Sequence, residues 1–137
     1  MAYTNIIDYI NIASIGNAVD FGDLLEADTE IGGCSNGTRG IFTGGYVSTG
    51  GGARIDRIQY VTIDTTANST DFGDLTSARS SVSAVSDGTK GLTGGGKDNS
   101  LNRVNTIDYV NIASLGNASD FGDLTRTGST LHACSGD

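Results

Sequence analysis

At 137 residues the chain has the size of one domain and enough length to bury a core. Its 21 glycines, single histidine and lack of proline and tryptophan are unusual for a compact enzyme. A formal charge of −8, with eight Lys and Arg residues scattered from Arg39 to Arg126, excludes the clustered basic surface that nucleic-acid phosphates require.

The first segment, Asn5 to Leu25, reads NIIDYINIASIGNAVDFGDLL. Its Ile7, Tyr9 and Ile12 predict one strand and the residues around Phe21 a second, shorter one, with the Ala13–Asn17 turn between them. After a connector, Glu26 to Glu30, comes IGGCSNGTRGIFTGG, Ile31 to Gly45. Small and apolar residues around Cys34, an Asn36-Gly37 turn and the run Gly40–Thr43 predict a hairpin that closes on Gly44 and Gly45. A glycine-rich stretch, Tyr46 to Arg57, leads to a further strand pair at Ile58 to Thr76 (IQYVTIDTTANSTDFGDLT), and Ser77 to Ser81 connects onward. Val82 to Gly96 (VSAVSDGTKGLTGGG) predicts a second hairpin closing on Gly94 and Gly95. Lys97 to Arg103 leads to a last strand pair at Asn105 to Thr125, and Arg126 to Thr130 leads to LHACSGD, the opening of a further hairpin.

These segments are copies of one unit. Asn5–Leu25 and Asn105–Thr125 are identical at 16 of 21 positions, and the phenylalanines of the shared DFGDL fall at Phe21, Phe72 and Phe121, spaced by 51 and 49 residues. Four short strands in about 50 residues, repeated, is the arithmetic of a β-propeller blade. A β-solenoid uses shorter repeats. The expected fold is therefore all-β, a single repeat domain over 1–137 divided at 1–30 (partial), 31–80, 81–130 and 131–137 (partial). It supplies roughly three four-stranded blades.

A hairpin ending in Gly-Gly, then a tyrosine strand, then an aromatic strand resembles the Kelch repeat. Gly44, Gly45, Gly94 and Gly95, with Tyr9, Tyr60 and Tyr109 and with Phe21, Phe72 and Phe121, carry this likeness and are expected to form the structural core of the repeat. The tyrosines are expected to pack between blades. Arg79 stands where Kelch repeats often carry an arginine, whereas Asp28 and Gly128 occupy that place in the other copies. The phrases GNAVDFGDL, GNASDFGDLT and TRGIFTGG are similar to repeat arrays of cyanophage-type tailed-phage virion and tail-fibre proteins. The resemblance implies a non-catalytic structural or attachment part located in a virion. The alternative it leaves is a cytoplasmic Kelch-type protein-interaction module.

Residues with chemical potential have simpler roles. A kinase DFG needs a phosphate loop, a strand lysine and a catalytic-loop Asp, and none accompanies the three copies here. The pairs Asp20/Asp23, Asp71/Asp74 and Asp120/Asp123 offer too few oxygens for calcium by themselves and suit local turns. The glycines of GGYVSTGGGAR and GLTGGGKD precede strand-like sequence rather than the helix a phosphate site needs. His132 has no Ser, Cys or Asp partner arranged for acid–base or nucleophilic work. Cys34 and Cys134 occupy one repeat position, where Val85 stands in the third copy, which reads as a small packing position with reduced thiols; a bridge between the chain's ends is the other option. No enzyme activity, metal or cofactor is expected.

Comparing the copies separates constant from variable segments. The turns at Ser35–Arg39 and Ser86–Lys90 nearly match, as do Ala13–Asn17 and Ala113–Asn117. The connections Tyr46–Arg57 and Lys97–Arg103, and those at 26–30, 77–81 and 126–130, differ, and on a blade all of these belong to one face. Arg54, Arg57, Asp98, Asn99, Arg103 and Arg126 are accordingly the candidate binding residues, for a host-surface glycan or protein. Nucleic acid and membrane are not expected partners: no apolar run spans a bilayer, and Met1–Asn5 lacks the marks of a signal peptide. Closing a ring requires more blades than this chain holds. The expectation is a homodimeric six-bladed ring, or membership of a longer chain.

Overall fold

The computed structural model describes residues 3–135. In chain order its strands are β1 (Ile6–Tyr9), β2 (Val19–Asp23), β3 (Asp28–Thr29), β4 (Gly32–Ser35), β5 (Arg39–Thr43), β6 (Tyr46–Val47), β7 (Ala53–Arg54), β8 (Arg57–Thr62), β9 (Thr70–Asp74), β10 (Ser83–Ser86), β11 (Lys90–Gly94), β12 (Val104–Asn111) and β13 (Ser119–Gly128). The fold is all-β, built of small antiparallel sheets. β4-β5-β8-β9 and β10-β11-β12-β13 are four-stranded meanders, β1-β2 is a two-stranded sheet, and β3-β6-β7 forms a small fourth sheet.

Each repeat explains its own strands. In the hairpins, Asn36 Oδ1 accepts from the Thr38 and Arg39 amides at 3.0 and 2.8 Å, and Asp87 Oδ1 accepts from Thr89 and Lys90 at 2.8 and 2.7 Å. An Asn or Asp side chain that satisfies two turn amides sets the hairpin locally. In the following strand pair the register slips at the same place in every copy, between Ile7 and Asp8, Ile58 and Gln59, and Ile107 and Asp108. Ile7 faces Gly22 and Asp8 faces Asp20, so Phe21 is the extra residue of a β-bulge. The repeated DFGD is that bulge.

The bulge sets each phenylalanine beside the tyrosine of the adjacent strand. The pairs Tyr9–Phe21, Tyr60–Phe72 and Tyr109–Phe121 all lie edge to face with centroids 5.9 Å apart. Each tyrosine thus meets an aromatic partner inside its own sheet, and Tyr60 also packs against the core between the middle and last sheets. Arg39 and Lys90 cover the Tyr60 and Tyr109 rings.

The main core lies where the middle and last four-stranded sheets meet. Ile41, Ile58, Phe72 and Leu75 of the middle sheet bury against Val110 and Ile112 of the last, with Cys34, Tyr60 and Ala118 at the margin. Surroundings change toward the two ends: Tyr9 and Phe121 are exposed while Phe72 is buried.

Three further expectations need correction. The glycine pair equivalent to Gly44 and Gly45 is Gly95 and Gly96, since all four have positive φ and Gly94 does not. Gly94 is a strand residue facing Ser83 in the ladder, so a run of three glycines shifted the register by one. The predicted strand through Ile12 stops at Tyr9, because β1 pairs only with β2, whereas β8 and β12 are held on both sides. Leu131–Ser135 forms no strand, because no hairpin partner stands beside it among the described residues.

Candidate functional site

The sheets are joined by a polar seam that recurs at both junctions. An Asn in the turn of one repeat reaches back to the bulge of the preceding one. Asn68 Oδ1 accepts from the Asp23 amide at 3.0 Å, and Asn117 Oδ1 accepts from the Asp74 amide at 3.1 Å. The Ser69 and Ala118 amides donate to the Asp23 and Asp74 carbonyls at 2.8 and 2.7 Å. Gly73, at φ +148°, leaves no room for a side chain: a Cβ there would run into the Gly116 backbone, as one on Gly22 would meet the Ala67 carbonyl. The phrase GN…DFGD is therefore one half-seam followed by the other.

Beneath this ladder, position 79 meets position 108. Arg79 and Asp108 are both fully buried and form an ion pair at 3.0 Å. Arg79 also donates to the Thr93 carbonyl, and Asp108 accepts from the amide and hydroxyl of Thr76. Burial pulls the Arg79 guanidinium below its usual range, opposed by the Asp108 charge. At the other junction the corresponding residues are Asp28 and Gln59. Gln59 Nε2 donates to Asp28 at 2.8 Å, its Oε1 accepts from the Leu25 amide, and Arg57 bonds Asp28 at 3.1 Å. Desolvation raises the Asp28 carboxyl although Arg57 and Gln59 oppose it.

The variable connections are drawn together. β3, from one connecting class, pairs with β6 of the other, which pairs in turn with β7, and in the next repeat Ser80, Lys97 and Arg103 bridge in the same pattern. Arg54 and Asn99, from successive repeats, exchange two hydrogen bonds: the Arg54 amide donates to Asn99 Oδ1 at 2.8 Å and Asn99 Nδ2 to the Arg54 carbonyl. Asp98 braces its own loop by accepting from the Ser100 and Asn102 amides, which lowers its carboxyl pKa. Arg103 donates to Ser129 at the edge of a cleft of about 580 Å³ lined by Lys97, Leu101, Asn102, Arg103 and Thr127. Arg126 is exposed on β13. Arg57 belongs instead to the seam, pairing with Glu26 and Asp28. Glu30 accepts from the Ser80 and Ser81 hydroxyls at 2.6 and 2.7 Å, and these bonds lower its pKa.

The remaining candidates are quickly placed. Asp20 accepts from the Gly22 amide within the bulge, and no group of three or more His, Cys, Asp or Glu side chains is gathered for a metal among the described residues. His132 is exposed in the strandless segment. Cys34 packs at the core margin, and burial pushes its thiol up to about 11. Cys134 is exposed and unbridged, which corrects its expected burial: among the described residues no further sheet covers it. No described helix is long and apolar enough to cross a membrane.

Sequence reasoning missed Asp108, Gln59 and Asn117. The available signal was that the copies vary together, Asp28 with Gln59 and Arg79 with Asp108. Comparison with protein families and with curated proteins found no match to this chain.

Proposed function

We propose that the chain is a non-catalytic β-propeller module of a phage virion or tail fibre, and that it binds a host-surface glycan through its connecting segments. The observation carrying this reading is the gathering of variable connections from successive repeats on one hydrogen-bonded support: β3-β6-β7, the Ser80–Lys97–Arg103 bridges and the Arg54–Asn99 pair. Four of the eight basic residues, Arg54, Lys97, Arg103 and Arg126, lie in these segments outside the seam that holds Arg57 and Arg79. Against an overall charge of −8, that local enrichment favours an acidic sugar. Loops on a fixed scaffold are the usual place for recognition in repeat folds.

An array of bacterial surface polysaccharides, probed with the labelled chain, tests the reading. The expected result is binding to uronic-acid or sulfated glycans that falls at least tenfold in a Lys97→Ala/Arg103→Ala variant with unchanged circular dichroism. Absence of binding to every glycan, or binding indifferent to that variant, contradicts it. Capture of a peptide ligand by the same residues would favour the protein-interaction alternative.

A further inference from the structure

The first and last repeats expose two different surfaces, and each has a buried counterpart inside the molecule. On the last sheet, Val85, Leu92, Ile107 and Leu124 line a largely apolar trough of about 320 Å³, bordered by Leu131, His132 and Ala133 of the strandless segment and open elsewhere. These residues are the repeat equivalents of Cys34, Ile41, Ile58 and Leu75, whose trough is closed by Val110, Ile112 and Ala118 of the next repeat. On the first repeat the equivalents of those three closing residues are Ile10, Ile12 and Ala18. Ile12 is 94% exposed where Ile112 is 0%, and Ile10 is 60% exposed where Val110 is 6%. Phe121, on the same strand as the trough residue Leu124, is 53% exposed where Phe72 is 3%.

The polar groups match as well. Phe121-Gly122-Asp123-Leu124-Thr125 repeats Phe72-Gly73-Asp74-Leu75-Thr76 residue for residue, and a Cβ on Gly122 would meet nothing within 4 Å. Asp8, Gly16, Asn17 and Ala18 repeat Asp108, Gly116, Asn117 and Ala118. Inside the chain these sets bond to one another: the Asp74 amide to Asn117, the Ala118 amide to Asp74, the Gly116 amide to Phe72, and Thr76 to Asp108. Arg39 adds a bond to the Ile112 carbonyl, and the repeat equivalents of these two residues are Lys90 on the last sheet and Ile12 on the first. Three members of the buried set have no equivalent at the ends: Gly128 and Gly94 stand in the places of Arg79 and Thr43, and β1, which pairs only with β2, has no neighbour to supply a Thr93.

We infer that two copies of this chain dock head to tail, the β1-β2 repeat of one seating in the open trough of β10-β13 of the other. The contact rebuilds between chains the seam that joins the middle and last sheets within one. It is heterologous: each copy offers one of each surface, so two copies can satisfy both surfaces by closing a ring. The three repeat sheets of each copy, leaving aside the small β3-β6-β7 sheet, make six in such a ring, within the usual range for propellers. The occupant of the trough is a second copy because the fitting surface is written in the same sequence. The contact does not depend on what the connecting segments bind.

Light scattering and sedimentation of the 137-residue chain across micromolar concentrations test this. The expected mass is twice 14.0 kDa. Ile12→Asp alters a side chain already in solvent and leaves the trough intact; Phe121→Asp alters the exposed face of the last sheet beside Leu124 and leaves the first repeat intact. Each variant alone is expected to be monomeric and to keep the wild-type circular dichroism. Mixed in equal amounts they are expected to form a heterodimer, through the one seam that is still whole. A wild-type monomer at every concentration overturns the proposal. So does an Ile12→Asp variant that stays dimeric, or a mixture that pairs no more than its components.

Discussion

The two junctions of the chain solve one problem with different residues. Between the middle and last sheets, position 79 is Arg and its partner across the seam is Asp108; between the first and middle sheets the same places hold Asp28 and Gln59. The cation has not been lost from the second arrangement. It comes from Arg57, on the strand beside Gln59, where Thr106 stands in the last repeat. In both junctions the strand residue also accepts a backbone amide from the preceding connector, Leu25 in one and Thr76 in the other. Geometry is therefore kept, while the charge can move between neighbouring positions. The requirement is that a buried polar group be met, whichever side supplies the charge.

The comparison predicts unequal sensitivity. Arg79→Ala leaves Asp108 buried without its cation and is expected to cost about 3–5 kcal/mol of unfolding free energy in urea titration. Arg57→Ala removes a partly exposed side chain from a buried Asp28 that Gln59 still bonds, and is expected to cost about 1–2 kcal/mol. Equal losses would show that the two junctions are not graded by burial.

Gly73 and Gly122 sharpen the point, because both occupy the same bulge with φ near +148° and +142° but only Gly73 faces another backbone. Gly73→Ala is expected to lose more than about 1 kcal/mol beyond Gly122→Ala, measured at concentrations that keep copies apart. The shared φ strain cancels in that difference, so what remains is the closeness of the seam. Thr93→Val removes the buried hydroxyl bond to Thr43, 3.0 Å across the same junction, and is expected to cost about 1–3 kcal/mol.

The smallest effect is one of pH. Glu30 has its carboxyl held below the usual 4.5 by Ser80 and Ser81, so the folded state holds its proton less tightly than the unfolded. The stability this gives is complete above pH 4.5 and is lost as pH falls through the lower folded value. Asp28, raised by burial, contributes with the opposite sign and favours folding toward low pH. Glu30→Gln is expected to flatten the acid limb of a thermal-melt series, and Asp28→Asn to steepen it. An unchanged limb in Glu30→Gln would remove Glu30 from the account.

Much of this was legible in the residues. Strand order within a repeat followed from hairpin turns whose Asn36 and Asp87 act locally, and local chemistry is what a sequence displays. The grouping of Arg54 with Asn99 followed from which connections vary. The seam was hidden for a different reason: Asn117 and Asp74 lie 43 residues apart, and their phrase reads equally well as turn-forming polar sequence. Arg79 was placed by its likeness to an arginine of the Kelch repeat, without its partner Asp108, because that partner lies in another repeat. Three consecutive glycines, Gly94 to Gly96, carry no side chain to mark register, and only the ladder distinguishes them. Cys134 and Leu131 were assigned by likeness to Cys34 and Val82, yet a strand needs a neighbour as well as a propensity.

The central claim is that the junctions are interchangeable copies of one seam. Converting the first into the second with Asp28→Arg, Gln59→Asp and Arg57→Thr together tests it most directly, with urea unfolding as the measurement. The triple variant is expected to lie within about 1–2 kcal/mol of the wild type, while Asp28→Arg and Gln59→Asp alone each lose more. A triple variant no more stable than its worse single substitution would contradict the claim.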